Sequence, residues 1–305
     1  QNVLLFGRGS YDYKARVLNN TNFVPIYESI NSLSPLETYS SDDFYALLDD
    51  NEGEWLESPV QNSTMDIGVG RLPVKTKEEA KNVVDKLIAY DSDSRTAGAW
   101  HKNFLFVADD GDFNIHQSQA DQLANSIEVS NPEIDTKKLY LDAFSQVQLN
   151  TGGSSPECAK AIDLAVRKGY GIVNYTGHGN ERLWMDERTL TDQVIMGWKN
   201  SPELPLFVTA TCEFGRNDDP FIISGGERIL LQPKGGGIGL VTTARPVNSS
   251  TNFTLNRAFY QSFFTKSNNQ FRSLGAIVRD TKNSSMSGVA NRNFSLLGDP
   301  SLQIY

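Results

Sequence analysis

The sequence predicts an α/β fold in which helices cover a mainly parallel sheet, and three features of the chain support this class. Short apolar runs, such as residues 3–7, alternate with segments in which apolar residues recur at helical spacing. Thr76 precedes one such segment and Glu79 follows three residues later, a pattern typical of a capped helix start. Two strongly apolar runs, residues 171–175 and 204–210, are predicted to be the central strands.

The remaining elements continue this alternation. Further strands are predicted at residues 66–72, 104–108, 139–141, 239–243 and 301–305. Helices are predicted around residues 80–88, at 115–127, from a Ser155 cap to Gly169, and at 227–231, 251–264 and 271–282. The polar segment 91–98 is the predicted boundary between an N-terminal α/β subdomain, residues 1–95, and a larger subdomain, residues 96–305.

Composition argues against several classes of protein. The 305 residues carry a formal net charge of −9, and an acidic surface repels nucleic-acid phosphates and anionic membranes. No run reaches the ~18 apolar residues of a membrane-spanning helix. The chain begins on an apolar strand without an initiator Met, so we expect a piece of a longer precursor from which any targeting sequence has been removed. Two cysteines are too few for a disulfide scaffold.

His178 is the first candidate catalytic residue. It follows the apolar run 171–175, lies between Gly177 and Gly179, and is one of three histidines in the chain. Ligands of open parallel sheets bind outside the carboxyl ends of the strands. We therefore favour a catalytic role over the alternative, a solvated histidine in a glycine-rich turn. The glycine at 179 also leaves its amide uncovered, where it could donate to an oxyanion.

Cys212 is the second candidate, because it follows the apolar run 204–210 in the same way. Free cysteines are usually small core residues, but the flanking Thr211 and Glu213 suit the edge of a site better. If the two strands are neighbours, the imidazole would lower the pKa of the thiol and yield a nucleophilic thiolate. A disulfide between Cys158 and Cys212 would remove this chemistry, and the sequence leaves that alternative open; we favour a structural Cys158.

Acidic side chains supply a candidate third member of the site. Residues 109–112 (DDGD) follow the strand predicted at 104–108, and a carboxylate there could orient His178. A solvated loop or oxygen ligands for a structural calcium ion explain the same residues equally well. His101 and His116 have no metal-ligand spacing with the cysteines, so no metal site is assigned and zinc is not expected.

Four motifs, taken in order, resemble those of the gingipain-type (C25) cysteine peptidases. They are residues 66–73 (DIGVGRLP), 174–179 (NYTGHG), 209–212 (TATC) and 297–302 (LGDPSL). The resemblance covers nearly the whole chain, and the ordered set is specific although each motif alone is weak. Residues 47–55 and 209–212 are more similar to the cell-surface sortase of the type IX secretion system than to the secreted gingipains.

The resemblance implies roles for individual residues. His178 and Cys212 correspond to the catalytic pair, and Asp110 corresponds to the acid that supports the histidine, where the gingipains have Glu. Asn114 lies near the position of the S1-pocket Asp of the arginine-selective gingipains, which argues against trypsin-like arginine specificity. In the mechanism that follows, the backbone amides of Gly179 and Cys212 form the oxyanion hole.

The resemblance further implies a caspase-like α/β/α sandwich and a function at the bacterial cell surface, associated with the outer membrane. The expected enzyme is a sortase that cleaves C-terminal sorting domains from type IX secretion cargo through a thioester, with transpeptidation to lipopolysaccharide as a further step. Its expected partners are those cargo proteins, other secretion components and lipopolysaccharide. No catalytic cofactor is expected, and calcium is a candidate structural ion. The alternatives are a gingipain-like secreted endopeptidase and a catalytically silent binding scaffold.

Overall fold

A central sheet of eight strands, with helices packed on both faces, organises the chain. The computed structural model describes residues 1–31, 33–50, 52, 63–150, 152–267, 270–285 and 288–304. The sheet includes both the first and the last strand of these described residues. The predicted α/β fold with a mainly parallel sheet is confirmed.

Strands and helices alternate along most of the chain. The strands are β1 Asn2–Phe6, β2 Tyr27–Glu28, β3 Ser40–Ser41, β4 Gly68–Leu72, β5 Asn103–Ala108, β6 Asp135–Tyr140, β7 Val147–Leu149, β8 Gly152–Ser154, β9 Ile172–Thr176, β10 Leu183–Trp184, β11 Leu190–Thr191, β12 Leu206–Ala210, β13 Gly239–Thr243 and β14 Phe294–Leu297. The α-helices are α1 Lys77–Ser92, α2 Gly111–Ser130, α3 Pro156–Lys168, α4 Asp192–Met196, α5 Gly225–Leu231, α6 Ser249–Phe264, α7 Leu274–Ser285 and α8 Val289–Arg292. None of the helices in the described residues is long and apolar enough to cross a lipid bilayer.

Strand direction divides the central sheet into two blocks. The strand order is β1-β4-β14-β13-β12-β9-β5-β6, and β13 with β14 is its antiparallel neighbour pair. The other neighbouring pairs are parallel. The strands from β13 to β6 therefore share one direction, and the turns that follow β5, β9 and β12 lie at one end of the sheet. We call these turns the carboxyl rim.

Strand β5 shows why this sheet is buried on both faces. Leu105 and Val107 belong to the apolar core that also contains residues of α1, α3 and α5. Phe104 and Phe106 belong to the second core, with residues of α2, α6 and α7. Because successive side chains of a strand point to opposite faces, a strand covered on both sides needs an unbroken apolar run. The predicted central strands have that composition for this reason.

The start of α1 follows the predicted capping pattern. The Thr76 hydroxyl accepts a hydrogen bond from the Glu79 amide at 3.1 Å, and the Glu79 carboxylate accepts from the Thr76 amide at 3.3 Å. The same reciprocal pair is formed by Ser224 and Glu227 at the start of α5. Such a cap stabilises a helix by about 1 kcal/mol. The sequence pattern thus located the start of α1, whereas the cap at Ser224 was not predicted.

Two strand predictions are wrong in position. The last strand is β14, not residues 301–305: its apolar run pairs with β13 before the turn at Gly298, and the buried Leu302 and Ile304 follow as irregular chain. Tyr305 lies outside the described residues. The strand predicted at 139–141 spans Asp135–Tyr140; β6 lies at the border of the sheet, and its first four residues are polar, so they give no apolar signal.

The region assigned to an N-terminal subdomain extends the same sheet. Its strand β4 joins β14 through the register pair Arg71 and Leu297. Arg71 is fully buried, and its guanidinium bonds the Asp42 carboxylate at 2.6 Å and the carbonyls of Gly7 and Val24 at 2.7 and 2.8 Å. A buried charge satisfied in this way holds two segments in one arrangement. The division of the chain at residue 95 stays a prediction.

Candidate active site

His178 and Cys212 leave the central sheet at the same level. Strands β9 and β12 are parallel neighbours, and Thr176 of β9 is paired with Ala210 of β12. His178 and Cys212 each follow two positions after these paired residues. The register therefore brings both side chains to the carboxyl rim, which is where open parallel sheets bind their ligands.

The main chain of His178 is held from both sides. Its amide donates to the Asp109 carboxylate at 3.0 Å. Its carbonyl accepts from the Met185 amide at 2.9 Å and from the Tyr175 hydroxyl. The Tyr175 ring in turn stacks on Trp184, with centroids 4.3 Å apart. Because Asp109 comes from a segment 69 residues earlier in the chain, the position of His178 depends on the packed fold as well as on its own turn.

A carboxylate within ion-pair distance of the His178 ring is that of Asp112, whereas the predicted acid was Asp110. Asp110 follows two residues after Ala108, which is paired with Thr176, so it does reach the carboxyl rim. Its carboxylate accepts a hydrogen bond from Gln146 at 2.5 Å. The Asp112 Oδ2 atom lies 3.2 Å from His178 Nε2. The supporting role of Asp110 stays a prediction.

An unusual backbone turn aims Asp112 at His178. Asp112, Phe113 and Asn114 have φ angles of 51°, 58° and 60°, in the left-handed region. For residues other than glycine this conformation costs roughly 1–2 kcal/mol each, and such strain is concentrated at functional sites. Regular helix geometry begins at Ile115, where the sequence predicts it. Asn114 is exposed on this turn, and its assignment to a substrate pocket stays a prediction.

His116 lies behind this turn, edge-on to the His178 ring. The His116 and His178 ring centroids are 5.0 Å apart at an interplanar angle of 84°. Burial lowers the pKa of His116, and the nearby His178 lowers it further. His116 is therefore a neutral imidazole at neutral pH.

Cys212 is half-buried and carries a neutral thiol. Its Sγ donates to the Val247 carbonyl at 3.6 Å. Burial raises the pKa of the Cys212 thiol, and the Glu213 carboxylate adds to the effect. From the sequence we expected a lowered pKa, with a thiolate stabilised by an adjacent imidazole. The burial of the sulfur arises only in the packed fold, and the sequence does not show it. Activation of this thiol therefore requires a base at the moment of reaction.

The turns after β9 and β12 touch at Gly179. A Cβ atom at position 179 would lie 2.7 Å from Thr211 Oγ1 and 2.9 Å from the Leu183 carbonyl oxygen, so the approach requires glycine. Within the described residues, neither the Gly179 nor the Cys212 amide donates a hydrogen bond to another group of the chain. Two unused N–H groups thus lie in adjoining turns at the carboxyl rim.

The second cysteine belongs to a helix that covers the sheet, and not to a turn of the carboxyl rim. Cys158 lies in α3, is fully buried in the apolar core, and is a free thiol, as is Cys212. Burial raises the pKa of Cys158 to about 12. The alternative of a Cys158–Cys212 disulfide is therefore not realised, and the structural role favoured for Cys158 agrees with its position.

Comparison with known proteins gives the chain a family. The model of a family described as Peptidase family C25 matches residues 1–305. The chain belongs to peptidase family C25. Among curated proteins, Gingipain R2 of Porphyromonas gingivalis is 25% identical over 152 residues, which are 49% of this chain and 19% of that protein. Gingipain R1 of the same species is also 25% identical over 152 residues, 49% of this chain and 14% of that protein. The chain thus spans a fifth or less of these relatives.

Solved structures support the same fold for this C25 chain. The crystal structure of the Arg-specific cysteine proteinase gingipain R (RgpB) has a TM-score of 0.73 at 18% identity, covering 100% of this chain and 64% of that one. The complex of the Porphyromonas gingivalis RgpB pro- and mature domains has a TM-score of 0.71 at 18% identity, covering 100% and 65%. The predicted caspase-like sandwich and the resemblance to gingipain-type peptidases are confirmed. The family supports a cysteine peptidase.

Sequence reasoning about this C25 chain missed three residues of the rim. It identified the loop 109–112 but did not separate the roles of its carboxylates. Asp109 binds the His178 main chain, and Asp112 approaches the His178 ring. It also left His116 without a partner. The sequence held no clear signal for this pair, because Asp112 precedes the regular helix and reaches His116 through the left-handed turn.

Proposed function

We propose that this chain is the catalytic part of a cysteine endopeptidase in which Cys212 is the nucleophile and His178 its base. The main support is the register of β9 and β12, because it brings an imidazole and a thiol out of adjacent strands at one level. Family C25 membership of the whole chain supports the same reaction class.

In the proposed reaction, Cys212 Sγ attacks the carbonyl carbon of a peptide bond while His178 accepts the thiol proton. The raised pKa of Cys212 favours this concerted transfer over a preformed ion pair. A carboxylate oxygen 3.2 Å from His178 Nε2 favours a proton on that nitrogen, which leaves Nδ1 as the base. Asp112 is thus a positioning residue.

The tetrahedral intermediate then breaks down to a thioester. The Gly179 and Cys212 amides are the proposed donors to its oxyanion, and their lack of other acceptors in the described residues supports this role. One such donor contributes about 3–4 kcal/mol to transition-state stabilisation. When the C–N bond breaks, His178 returns its proton to the leaving amine, and the acyl group remains on Cys212. An incoming nucleophile displaces the sulfur and completes the cycle.

The finer proposal is a PorU-type sortase of the type IX secretion system, acting outside the cytoplasm at the bacterial cell surface, associated with the outer membrane. Its substrates would be cargo proteins with C-terminal sorting domains, and its acceptor either water or an amine of lipopolysaccharide. The support is the sequence resemblance at residues 47–55 and 209–212. Residues 51 and 53–55 of the first segment lie outside the described residues. A gingipain-like endopeptidase without a sortase role is the alternative.

The first test compares two single-cysteine variants of the purified protein on a cargo protein that retains its sorting domain. We expect Cys212→Ala to lower kcat/KM by at least about 10⁴-fold, since it removes the nucleophile. The matched control Cys158→Ala keeps a rate close to that of the parent, because Cys158 is a fully buried residue of the apolar core and cannot meet a substrate there.

The product mass separates the two acceptors. With a primary amine added to the assay, a sortase yields an amide at the new C-terminus, whereas a simple endopeptidase yields only the carboxylate. Cleavage by Cys212→Ala at the parental rate would overturn the assignment of Cys212 as the nucleophile. Absence of cleavage by the parent protein would overturn the peptidase proposal and leave the silent scaffold.

A further inference from the structure

Three side chains of the carboxyl rim converge in a way that proteolysis does not require. Asp112, His116 and His178 each offer one ligand atom, and these atoms lie within 4.8 Å of one another. Asp112 Oδ2 is 3.2 Å from His178 Nε2 and 3.6 Å from His116 Nε2. A carboxylate between two imidazoles is needed neither for the attack of the thiol nor for the departure of the amine.

The environment of the His116 side chain is unusual for a buried polar group. Its side chain is only 6% exposed, and neither ring nitrogen has a hydrogen-bond partner in the described residues. A buried polar group without a partner costs about 1–3 kcal/mol. Its Nε2 atom faces the Asp112 carboxylate at a distance too long for a good hydrogen bond. The ring is thus held in place by burial while its nitrogen is directed at the other two ligand atoms.

The two separations from the Asp112 carboxylate are close to the ligand spacing of a tetrahedral metal ion, and the third, between the two imidazoles, is at most 4.8 Å. Zinc binds histidine nitrogen and carboxylate oxygen at about 2.0–2.2 Å, which puts two ligand atoms of a tetrahedron about 3.3–3.5 Å apart. The two separations from Asp112, 3.2 and 3.6 Å, bracket that value. Two imidazoles and one carboxylate suit zinc and related transition metals, whereas calcium takes oxygen ligands.

The local backbone supports a ligand set and not a chance encounter. Asp112 begins the left-handed segment that ends at Asn114, and regular helix follows. This segment costs free energy in the folded chain, and it is what brings the Asp112 carboxylate between the two rings. Asp112 and His178 are exposed, so an ion has access from solvent and a fourth coordination position faces outward.

We propose that Asp112, His116 and His178 form an inhibitory site for Zn²⁺. A bound ion takes the place of the proton on His178 Nε2, so the neutral ring carries its proton on Nδ1, the nitrogen that otherwise accepts the proton of Cys212. The ion also fixes the ring against Asp112 and His116. Removal of the ion restores the base. The inhibitory consequence rests on the proposed peptidase function, whereas the binding of the ion does not.

Binding is measured first, on the purified protein without substrate, by Zn²⁺ competition with a chromophoric chelator and by the visible absorption of Co²⁺ as a probe. Asp112→Asn and His116→Gln are each expected to weaken Zn²⁺ binding by at least about tenfold, the lower end for loss of a group that supports a metal. The matched control is Asp110→Asn, which removes a carboxylate of the same turn and keeps the affinity. Asp112 is 60% exposed, so its variant tests the site even if His116→Gln folds poorly.

The Cys212→Ala variant separates this site from the simplest competitor, an ion held by the Cys212 thiol and His178. It is expected to keep its Zn²⁺ affinity and to lack the intense ultraviolet band of a Co²⁺ thiolate. Loss of binding in Cys212→Ala, or unchanged binding in both Asp112→Asn and His116→Gln, would overturn the proposal.

Inhibition is measured second, as the Zn²⁺ concentration that halves the peptidase rate of each variant relative to its own metal-free rate. His116→Gln is expected to raise that concentration at least about tenfold, in line with its loss of affinity. If the protein binds Zn²⁺ through these residues but cleaves nothing, the site stands and the peptidase function fails. If it cleaves peptides and Zn²⁺ inhibits all variants equally, the peptidase function stands and the site fails.

Discussion

Cys158 and Cys212 are both free cysteines, but they lie in different parts of the fold. Cys158 belongs to α3, which covers the sheet, and Cys212 lies in the turn after β12 at the carboxyl rim. Burial raises the pKa of both thiols. Cys158 is fully buried among apolar side chains, whereas Cys212 is half-exposed and donates to a main-chain carbonyl. The pKa of the thiol therefore does not distinguish the candidate nucleophile from the structural cysteine.

Access and neighbours distinguish them instead. Cys212 shares its level with His178 through the register of two parallel strands, and its turn touches Gly179. Cys158 lies in a helix and packs among the side chains of the apolar core. The lesson is that a buried neutral thiol becomes a nucleophile when a base can reach it from an adjacent strand, even though its resting state is protonated.

Alkylation of the native protein gives the largest expected contrast between the two cysteines. Cys158 reacts only after unfolding, so iodoacetamide should modify Cys212 at least about 10³-fold faster. Because the pKa of Cys212 is raised, its thiolate fraction is small at neutral pH, and its rate should rise about tenfold per pH unit until well above ~8.5. Mass spectrometry of the modified peptides measures both rates.

The variant His178→Ala sharpens this test. If burial controls the thiol, its alkylation rate stays near that of the parent. A marked fall in rate at pH 6–7 would instead indicate a preformed thiolate–imidazolium pair and contradict the neutral thiol inferred from the structure.

The next largest effect is expected on kcat, when the contact between the turns after β9 and β12 is disturbed. Gly179→Ala puts a Cβ atom 2.7 Å from Thr211 Oγ1 and 2.9 Å from a main-chain carbonyl, so one of the turns has to move. Displacement of the Gly179 amide should lower kcat by about 10²-fold, the effect of losing one oxyanion donor, with little change in KM.

Gly239→Ala is the control for this change. Gly239 is a buried glycine of β13 whose added Cβ would meet its nearest atom at 3.4 Å, an ordinary contact. We expect it to keep the parental kcat. Equal loss in both variants would mean that activity responds to any strain in the sheet, and not to the Gly179 turn.

The smallest expected contrast between the two cysteines is in the free energy of unfolding. Cys158→Ala removes one buried heavy atom from the core and should lower the free energy of unfolding by roughly 1–2 kcal/mol, less than a Leu→Ala change. Cys212→Ala removes a half-exposed atom and should change stability by less than about 0.5 kcal/mol. Urea unfolding of the two variants measures the difference. A larger loss from Cys212→Ala would show that Cys212 serves the core and not the rim.

Much of the fold was accessible from sequence because the central strands are buried on both faces. Residues 171–175 and 204–210 are mainly apolar for this reason, with Asn174 and Thr209 as buried polar exceptions. The capping pair Thr76 and Glu79 marked a helix start through a local hydrogen-bond pattern. Strand β6 was misplaced for the converse reason, since a half-exposed border strand carries a weaker apolar signal.

Within the candidate site, the sequence identified His178 and Cys212 as residues of the rim and left the acid uncertain. Strand ends are encoded by composition, so the residues that follow them can be named in advance. The choice between Asp110 and Asp112 depends on three left-handed residues, a conformation that local composition does not specify.

By itself, then, the sequence determined the order of elements, the central strands and the two residues that follow them, because burial and hydrogen bonding act on the chain locally. Only the tertiary structure decided that the Cys212 thiol is neutral, that Asp112 faces His178, and that the unpaired His116 lies beside them. These properties depend on desolvation and on distances between segments far apart in sequence. Their energies arise only when the segments pack against one another.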